Sequence, residues 1–282
     1  MVRRRHLISG FVIAYNRAAL VGTCLRSLRF VDELIVIDKS STDDTPAIAR
    51  RYADRVVTVP WSPVVEETRA FALEQCSHDW IAFLDDDEMF SPGAIEYLYT
   101  ARTAEAVALP LRHWILGEFN SDAYYWPEHH IRFFRKGALT FRPVVHGGME
   151  INTDHIDHVS SETQIFIDHL SHRDTEQWIE RTNRYTSRPR RVAIDSEAAD
   201  LIDFAHQRID HWLARSRQSD RGDYPSAVAL LRSIYDMIDR IKCWEMQRGL
   251  DGAAAFRTRC LELERAYDDL EQRLGVATGS RR

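Results

Sequence analysis

Residues 80–90 read "WIAFLDDDEMF", an apolar run that ends in four consecutive acids. Asp85, Asp86, Asp87 and Glu88 place like charges side by side, which costs free energy unless water screens them or a cation neutralises them. The apolar run before them is typical of a strand that is buried on both faces of a parallel sheet. The stretch therefore predicts a buried strand whose carboxyl end carries a charged site.

The chain on either side alternates short apolar runs with helical patterns. Strands are predicted at "LISGFVIAY", "DELIVIDKS", "DRVVTVP" and "WIAFLD", and helices follow at "NRAALVGTCLRSL", "TDDTPAIARRYA", "VEETRAFALEQCS" and "SPGAIEYLYTAR". In the last helix, Ser91 stands at the N-cap and Pro92 at the first helical position. This alternation predicts an α/β fold with a mainly parallel sheet flanked by helices. Ligands bind at the carboxyl ends of such strands, where Asp38 also lies.

From about Ala106 the pattern changes. "AVALPLRHWILGEFN" and "HIRFFRKGALTFRP" predict further strands, the second stretch holding two that meet at the turn "KGA", so the sheet becomes mixed. After Asp174 the apolar residues fall at helical spacing. We therefore predict an α/β domain over residues 1–173 and a helical extension over residues 174–282.

Composition limits the class of protein. The 282 residues carry a formal net charge of -6, which argues against nucleic acid as a partner. No apolar stretch reaches the roughly 18 to 20 residues that span a bilayer, and the N-terminus does not read as a signal peptide. The four cysteines form no CxxC pair, which is typical of reduced thiols in a cytosolic protein.

Four segments together resemble a known family. "FVIAYNRAALVGTCLRSL", "LIVIDKSSTDDT", "ETRAFALEQCSHDWIAFLDDDE" and "HIRFFRKGALTFRPVVHG" look like successive motifs of the family 2 glycosyltransferases, which have a GT-A fold. They are most similar to the bacterial branch of lipopolysaccharide-core glucosyltransferases. The resemblance implies an inverting, metal-assisted transfer of a hexose from a nucleoside-diphosphate sugar, UDP-linked, to an acceptor hydroxyl. Residues 1–173 would then be the nucleotide-sugar-binding and catalytic domain, with residues 174–282 on the acceptor side, in packing or in oligomerisation.

The acids at the strand end suit the metal that this chemistry uses. A divalent cation stabilises a departing diphosphate as a Lewis acid, and Mg²⁺ and Mn²⁺ prefer carboxylate oxygens. By the resemblance to the family's DxD motif, Asp87 is the principal metal ligand, Asp85 lies against the ribose or the ion, and Asp86 occupies the variable position. His146 matches a histidine that approaches the metal or the diphosphate. The competing interpretations are an acidic helix N-terminus and a structural histidine.

The same resemblance implies a nucleotide site. Asp38 matches an aspartate that accepts a hydrogen bond from the base, and Ala14, Tyr15 and Asn16 match the loop after the first strand. Arg69 matches an arginine near the uracil or the diphosphate. Asp38 as a turn cap and Arg69 as a solvated helix residue remain open alternatives.

An inverting transfer needs a base for the acceptor proton. In "YYWPEHHIRFFR", Glu128 matches the branch's acid and is the predicted base. Arg132 and Arg135 are predicted to bind phosphates or to hold the acceptor loop, with structural ion pairs as the alternative. His129 and His130 stand where the branch has other residues, so acceptor specificity is expected to differ.

The predicted partners follow from this chemistry. They are a nucleotide-sugar donor, a glycan or lipid-linked acceptor in cell-surface polysaccharide synthesis, and Mn²⁺ or Mg²⁺. We expect a cytoplasmic protein at the inner face of the membrane, with peripheral membrane association and a homodimer through the C-terminal helices. Two alternatives stay open. One is a nucleotidyltransferase, which would need a glycine- and lysine-rich phosphate loop that the segment "AYNRAALVG" does not provide. The other is a non-catalytic nucleotide- or carbohydrate-binding scaffold. HxxH spacing at "HIDH" and "HLSH" makes zinc conceivable, without cysteine or HExxH support.

Overall fold

A computed structural model describes residues 6–62, 65–100, 104–142, 148–187, 200–216 and 222–274. The strands are β1 (Ile8–Ala14), β2 (Glu33–Asp38), β3 (Arg55–Thr58), β4 (Trp80–Asp85), β5 (Glu88–Phe90), β6 (Ala106–Ile115), β7 (Glu128–Arg135), β8 (Leu139–Phe141), β9 (Met149–Ile151), β10 (Ile156–His158) and β11 (Ile167–His172). The helices are α1 (Val21–Ser27), α2 (Thr45–Ala49), α3 (Glu66–Glu74), α4 (Pro92–Tyr99), α5 (Thr175–Thr186), α6 (Leu201–Arg215), α7 (Tyr224–Gln247) and α8 (Gly252–Leu274). None of the helices in these ranges has the length and apolarity that a membrane span needs.

One large sheet organises the α/β part. Within the described ranges its strand order is β3-β2-β1-β4-β7-β6-β11-β5, and β10 pairs with β6. The strands β1 to β4 are parallel, β7 runs antiparallel to both β4 and β6, and β11 lies parallel to β6 and antiparallel to β5. The predicted α/β fold, a mixed and mainly parallel sheet flanked by helices with further helices at the C-terminal end, is confirmed.

The central strands are apolar because both faces of the sheet are covered. Along β1, Val12 joins Leu84 in the core on one face, whereas Phe11 and Ile13 join Phe83 in the core on the other. Side chains alternate between faces along a strand, so two-sided burial requires a near-continuous apolar run. The rings of Phe11 and Phe83 stack with centroids 5.1 Å apart.

The two strands predicted to meet at the turn "KGA" are present as β7 and β8, but they do not pair with each other. The chain does turn at Gly137, whose φ of +93° suits glycine. However, β8 pairs with β9 in a separate two-stranded sheet. The physical reason is that β7 already has β4 on one edge and β6 on the other, which leaves no edge for β8.

The chain divides into two compact units. The first comprises residues 1–180 and 211–231, and in it Tyr224 places its hydroxyl 2.7 Å from the carbonyl oxygens of Ile115 and Glu118. The second comprises residues 181–210 and 232–282, in which Arg208 donates to Asp236 at 2.8 Å. The predicted acceptor-side or oligomerisation role of residues 174–282 stays a prediction.

Ser91 lies between β5 and α4, and its side chain links the start of α4 to Gln164 and Phe166. These contacts give a prediction about stability. Its buried hydroxyl accepts from the amide of Ala94 at 3.1 Å and from that of Phe166 at 3.2 Å, and donates to the carbonyl of Gln164 at 3.0 Å. Replacing Ser91 with Ala should lower the free energy of unfolding by about 2–3 kcal/mol, since a helix cap is lost and buried polar groups lose their partner. Urea denaturation measures this loss.

The other end of α4 offers the control. The exposed hydroxyl of Thr100 donates to the carbonyl of Tyr97 at 2.9 Å, and Thr100→Ala should change stability by less than about 0.5 kcal/mol. Equal losses in the two variants would contradict the structural role of Ser91.

Candidate functional site

The four acids lie where β4 turns into β5. Asp85 ends β4, Asp86 and Asp87 form the turn, and Glu88 begins β5. Glu88 and Asp87 are buried, and a carboxylate oxygen of Glu88 accepts the amide of Asp85 at 3.1 Å. Burying several carboxylates requires positive partners, because an unpaired buried charge is costly.

Arg132 is the cation at the base of this cluster. From β7 it donates to both oxygens of Glu88, at 2.6 and 2.7 Å, and to Asp85 at 3.2 Å. Its guanidinium lies 4.8 Å from the ring centroid of Phe83, so the apolar core also supports it. Burial opposes the charge of Arg132, but Glu88 and Asp85 outweigh burial and raise its pKa. Arg132 is therefore held as a permanent cation inside the protein.

Arg69 supplies a second cation from α3. One of its terminal nitrogens lies 2.8 and 3.1 Å from the two carboxylate oxygens of Asp85. Burial disfavours the ionised form of Asp85, yet Arg69 and Arg132 more than offset it and lower the pKa to about 2. Asp85 is thus an ionised group bound between two guanidiniums.

Arg17, in the loop after β1, supplies a third cation that the sequence did not reveal. It donates to Asp86 at 2.8 Å and to Asp87 at 3.2 Å, while the amide of Tyr15 donates to Asp86 at 3.2 Å. Burial, with the charge of Asp87, raises the pKa of Asp86 to about 7 despite the opposing guanidinium. The loop after β1 is consequently fastened to the acidic turn.

His169 is another residue that sequence reasoning did not assign to this site. It lies in β11 with its Nε2 3.5 Å from Oδ1 of Asp87, and the amide of Leu170 donates to the carbonyl of Asp87 at 2.8 Å. Burial lowers the pKa of His169, but the neighbouring Asp87 carboxylate outweighs burial, so the pKa is raised. The HxxH pattern singled out this histidine for zinc with His172, whose ring instead packs on Trp178.

The predicted nucleotide loops meet beside the acidic turn. Buried Asp38 ends β2 and accepts the amide of Ser41 at 3.3 Å. Asn16 has a φ of +50°, a conformation that asparagine tolerates, and its side-chain oxygen accepts the amide of Thr42 at 2.8 Å. Ala14 contributes through its backbone, because its carbonyl accepts the amide of Lys39 at 2.9 Å. The loops after β1 and β2 therefore form one hydrogen-bonded rim.

Two exposed aromatic rings stand at this rim. Tyr15 and Trp61 are 37% and 52% exposed, and their ring centroids lie 6.0 Å apart. Trp61 lies two residues after Val59, whose amide donates to the carbonyl of Asp38 at 2.9 Å. Exposed aromatic faces beside a buried carboxylate can stack a planar base while the carboxylate accepts its N–H. Tyr15 was predicted here, whereas Trp61 was not.

Glu128 begins β7 and accepts from two imidazoles. Nε2 of His113 lies 3.1 Å from one carboxylate oxygen, and Nε2 of His130 lies 3.0 Å from the other. These hydrogen bonds lower the pKa of Glu128, whose side chain is half exposed. His113 also meets His169, with 2.9 Å between their Nδ1 atoms. Glu128 is thus linked through His113 and His169 to Asp87.

The strand order explains that link. His169 pairs with Glu88 across the β11–β5 ladder and with His113 across the β11–β6 ladder. Residues that are directly opposite on neighbouring strands have side chains on the same face of the sheet. The insertion of β11 between β5 and β6 therefore brings His169 to both the acidic turn and His113.

The structure gathers most of the predicted site residues, with two exceptions. Arg135 is exposed at the far end of β7, where it pairs with Trp80 across the ladder and lies 4.0 Å from Glu105. Since Asp85 is five residues further along β4, Arg135 lies about 17 Å from it. The substrate role of Arg135 stays a prediction, and no described contact joins Arg135 to the acidic cluster. His146 lies outside the described residues.

The donor set has the right chemistry for a hard divalent cation. The carboxylates of Asp85 and Asp87 are ligands that Mg²⁺ and Mn²⁺ prefer, and the imidazole of His169 lies beside Asp87. Within the described ranges, no three His, Cys, Asp or Glu side chains are already arranged around a metal position. Both carboxylates are bonded to arginines, so a cation must compete with those guanidiniums.

Comparison with known proteins shows the family. The model for "Glycosyl transferase family 2" matches residues 9–153. An uncharacterized glycosyltransferase of Rickettsia felis is 38% identical over 102 residues, which cover 35% of this chain and 36% of that protein. The lipopolysaccharide core biosynthesis glycosyltransferase LpsC of Rhizobium meliloti is 35% identical over 96 residues, covering 32% of this chain and 35% of LpsC.

A solved structure gives a partial match. The glucosyl-3-phosphoglycerate synthase of Mycobacterium tuberculosis, in complex with Mn²⁺, UDP and glucosyl-3-phosphoglycerate, is 29% identical, with 38% of this chain and 44% of that chain covered and a TM-score of 0.32. The matches span 36%, 35% and 44% of the three proteins, well under two thirds of their lengths.

The Arg132 cluster yields a second prediction. Arg132→Met should lower the free energy of unfolding by about 3–5 kcal/mol, because Glu88 would keep a buried charge without its partner. Adding Glu88→Gln should recover part of this loss, and urea denaturation of the single and double variants measures the coupling.

Arg135→Met is the matched control on the same strand. Arg135 is exposed and its contact with Glu105 is long, so the change should cost less than about 0.5 kcal/mol. If Arg132→Met were as mild as this control, the acids would not depend on Arg132.

Proposed function

Because the chain belongs to glycosyltransferase family 2, we propose that it transfers a hexose from a nucleoside-diphosphate sugar, UDP-linked, to an acceptor hydroxyl. The observation that carries the proposal is the meeting of the acidic turn at the end of β4 with the Asp38 rim at the ends of β1 and β2. One crevice at the carboxyl ends of parallel strands is where such sheets bind ligands. A base-recognition group and a diphosphate-recognition group would lie side by side there.

The nucleoside would bind at the rim. A uracil presents an imide N–H, which the carboxylate of Asp38 can accept, and the exposed rings of Tyr15 and Trp61 provide apolar faces for stacking. Asn16 would contribute by holding the loop after β1 against the loop after β2. These contacts favour uridine over nucleosides whose base lacks a donor at that position.

The diphosphate would bind towards the acidic turn with a divalent cation. Asp87 and His169 would hold the cation, and Asp85 would bind the ribose or the ion. When bound, the cation supplies Lewis-acid stabilisation of the departing diphosphate. Arg17 and Arg69, which neutralise the acids in this structure, would contact phosphate oxygens of an incoming donor. The protein would thus offer cationic groups to the diphosphate and carboxylates to its cation.

Transfer with inversion is a single displacement by the acceptor hydroxyl, which needs one base. Glu128 is the carboxylate that would provide or support that base, because it is ionised, half exposed and linked through histidines to Asp87. The similarity to LpsC supports a glycan or lipid-linked acceptor in bacterial cell-surface polysaccharide synthesis.

The four free cysteines fit a reducing compartment, in keeping with the cytoplasmic location at the inner face of the membrane that we propose. Peripheral membrane association and a homodimer through the C-terminal helices remain predictions.

Asp38 gives a prediction about the nucleotide. Asp38→Asn should weaken UDP binding by about 1.5–3 kcal/mol, or roughly ten- to a hundredfold in Kd, because a charge-assisted hydrogen bond to the imide is lost. Isothermal titration with UDP and Mn²⁺ measures the loss, and CDP should bind the unchanged protein more weakly than UDP.

Asp44→Asn is the matched control for Asp38. Asp44 is exposed in the same loop region and caps no backbone amide with its side chain, so its replacement should leave the Kd for UDP unchanged. A Kd for UDP that is the same in the Asp38 and Asp44 variants would refute the role of Asp38.

Asp87 gives a prediction about the cation. Asp87→Ala should lower the rate of UDP release from UDP-glucose in the presence of Mn²⁺ by at least about a hundredfold, as expected when the leaving group loses an electrostatic partner. EDTA should slow the unchanged protein to a similar extent and should have little further effect on the variant. Full activity in Asp87→Ala would exclude the metal role, and a protein that binds nucleotides but never turns them over would be a scaffold.

A further inference from the structure

The contacts around Glu128 decide where the acceptor proton goes. Ionised Glu128 can only accept hydrogen bonds, so both Nε2 atoms that contact it, those of His113 and His130, must carry their protons. In a neutral imidazole one nitrogen donates and the other accepts. Nδ1 of His113 therefore accepts, and the proton between the two Nδ1 atoms belongs to His169. One ionised carboxylate thus fixes the tautomers of His113 and His130, the two histidines that contact it.

His130 stands at the open end of this chain. Its Nε2–H is bound to Glu128, and its Nδ1 consequently has a lone pair, for which the described part of the chain provides no hydrogen-bond partner. The side chain of His130 is 31% exposed, whereas His113 is 14% exposed and has both nitrogens engaged. A carboxylate that holds the far nitrogen of an imidazole is the arrangement by which proteins make histidine a general base.

The pairing of β6 with β7 supports this position for His130. The register is regular from Glu128 to His130, so the two side chains lie on one face of β7 and His129 lies on the other. His129 is engaged elsewhere, with its Nε2 2.8 Å from the carbonyl oxygen of Val159. Of two consecutive histidines, the strand therefore presents only His130 to Glu128.

We propose that His130 is the proton acceptor of the reaction and that Glu128 acts through it, as the carboxylate that orients and supports its imidazole. This inference rests on the proposed function and changes the atom that does the chemistry. As the acceptor oxygen bonds to the anomeric carbon, the bond from that carbon to the phosphate oxygen breaks and its electron pair leaves with the nucleoside diphosphate. The acceptor hydroxyl proton passes to Nδ1 of His130, and the imidazolium keeps its Nε2–H on Glu128 until it releases the proton to water.

The remaining histidines then have a positioning role. His113 binds the second oxygen of Glu128, and His169 holds His113 in the tautomer that donates to Glu128. His169 also contacts Asp87 at the acidic turn, so the carboxylate that supports the base is joined to the donor side of the site through side chains on adjacent strands. Residue 130, one of the two positions at which the sequence is expected to depart from the family, is then the position of the proposed base.

The first test reads the tautomers directly and does not depend on turnover. Long-range ¹H–¹⁵N correlation of the full chain with Mg²⁺ and UDP should show His130 protonated at Nε2 and unprotonated at Nδ1, with its signals assigned by their loss in His130→Gln. In Glu128→Gln this preference should weaken. A proton on Nδ1 of neutral His130 in the unchanged protein would overturn the proposal.

The second test uses water as the acceptor and UDP-glucose as the donor, with Mn²⁺. His130→Ala should slow UDP release by at least about a hundredfold, in the range of general-base catalysis, while its Kd for UDP stays within about twofold. Added imidazole should restore the rate of this variant at least about tenfold, because a free base can occupy the vacated position. His129→Ala should keep the rate of the unchanged protein and should gain nothing from imidazole.

The outcomes separate the two levels of inference. If the protein without substitutions neither binds UDP nor releases it from UDP-glucose, the proposed function itself is contradicted. An active protein whose His130→Ala variant keeps its rate, or loses the rate without recovery by imidazole, overturns the assignment of His130 alone. If imidazole does not restore the rate of His130→Ala, and Glu128→Gln slows UDP release as much as His130→Ala does, the base is Glu128.

Discussion

The site depends on the neutralisation of four acids at the end of one buried strand. Like charges this close are tolerable only with positive partners, and Arg17, Arg69 and Arg132 provide them from three separate elements. Those elements are the loop after β1, helix α3 and strand β7. The electrostatic requirement of the acidic turn therefore fixes the positions of chain segments that are far apart in sequence.

The acids do not share this neutralisation equally. Glu88 receives two short hydrogen bonds from buried Arg132 and belongs to the support of the site. Asp87 contacts Arg17 at 3.2 Å and His169 at 3.5 Å, both longer than a strong charge-assisted hydrogen bond. The cluster thus combines Glu88, which Arg132 binds tightly, with a buried Asp87 whose contacts to Arg17 and His169 are longer. A ligand cation would replace the weaker of these contacts and leave the structural ones in place.

The sequence predicts what local patterns determine and misses what depends on strand order. The apolar runs that end at Asp38 and Asp85 predict buried parallel strands and a site at their carboxyl ends, because two-sided burial and strand polarity leave a local signature. His169 and His113 come together only because β11 inserts between β5 and β6, and no local pattern encodes that insertion. The separation of β8 from β7 after the turn "KGA" has the same origin, since the occupancy of both edges of β7 is a property of the whole sheet.

Strand order also explains how side chains from four strands come into contact. The strands β5, β11, β6 and β7 are consecutive neighbours in the sheet. Neighbouring strands lie about 4.8 Å apart, so side chains on adjacent strands can reach one another. A row of side chains across them runs from Asp87 through His169 and His113 to Glu128. The contacts in this row are 3.5, 2.9 and 3.1 Å long, and the ionised carboxylate of Glu128 at its end fixes the tautomer of His113 beside it. The insertion of β11 between β5 and β6 therefore connects the acidic turn to Glu128 through side chains on neighbouring strands.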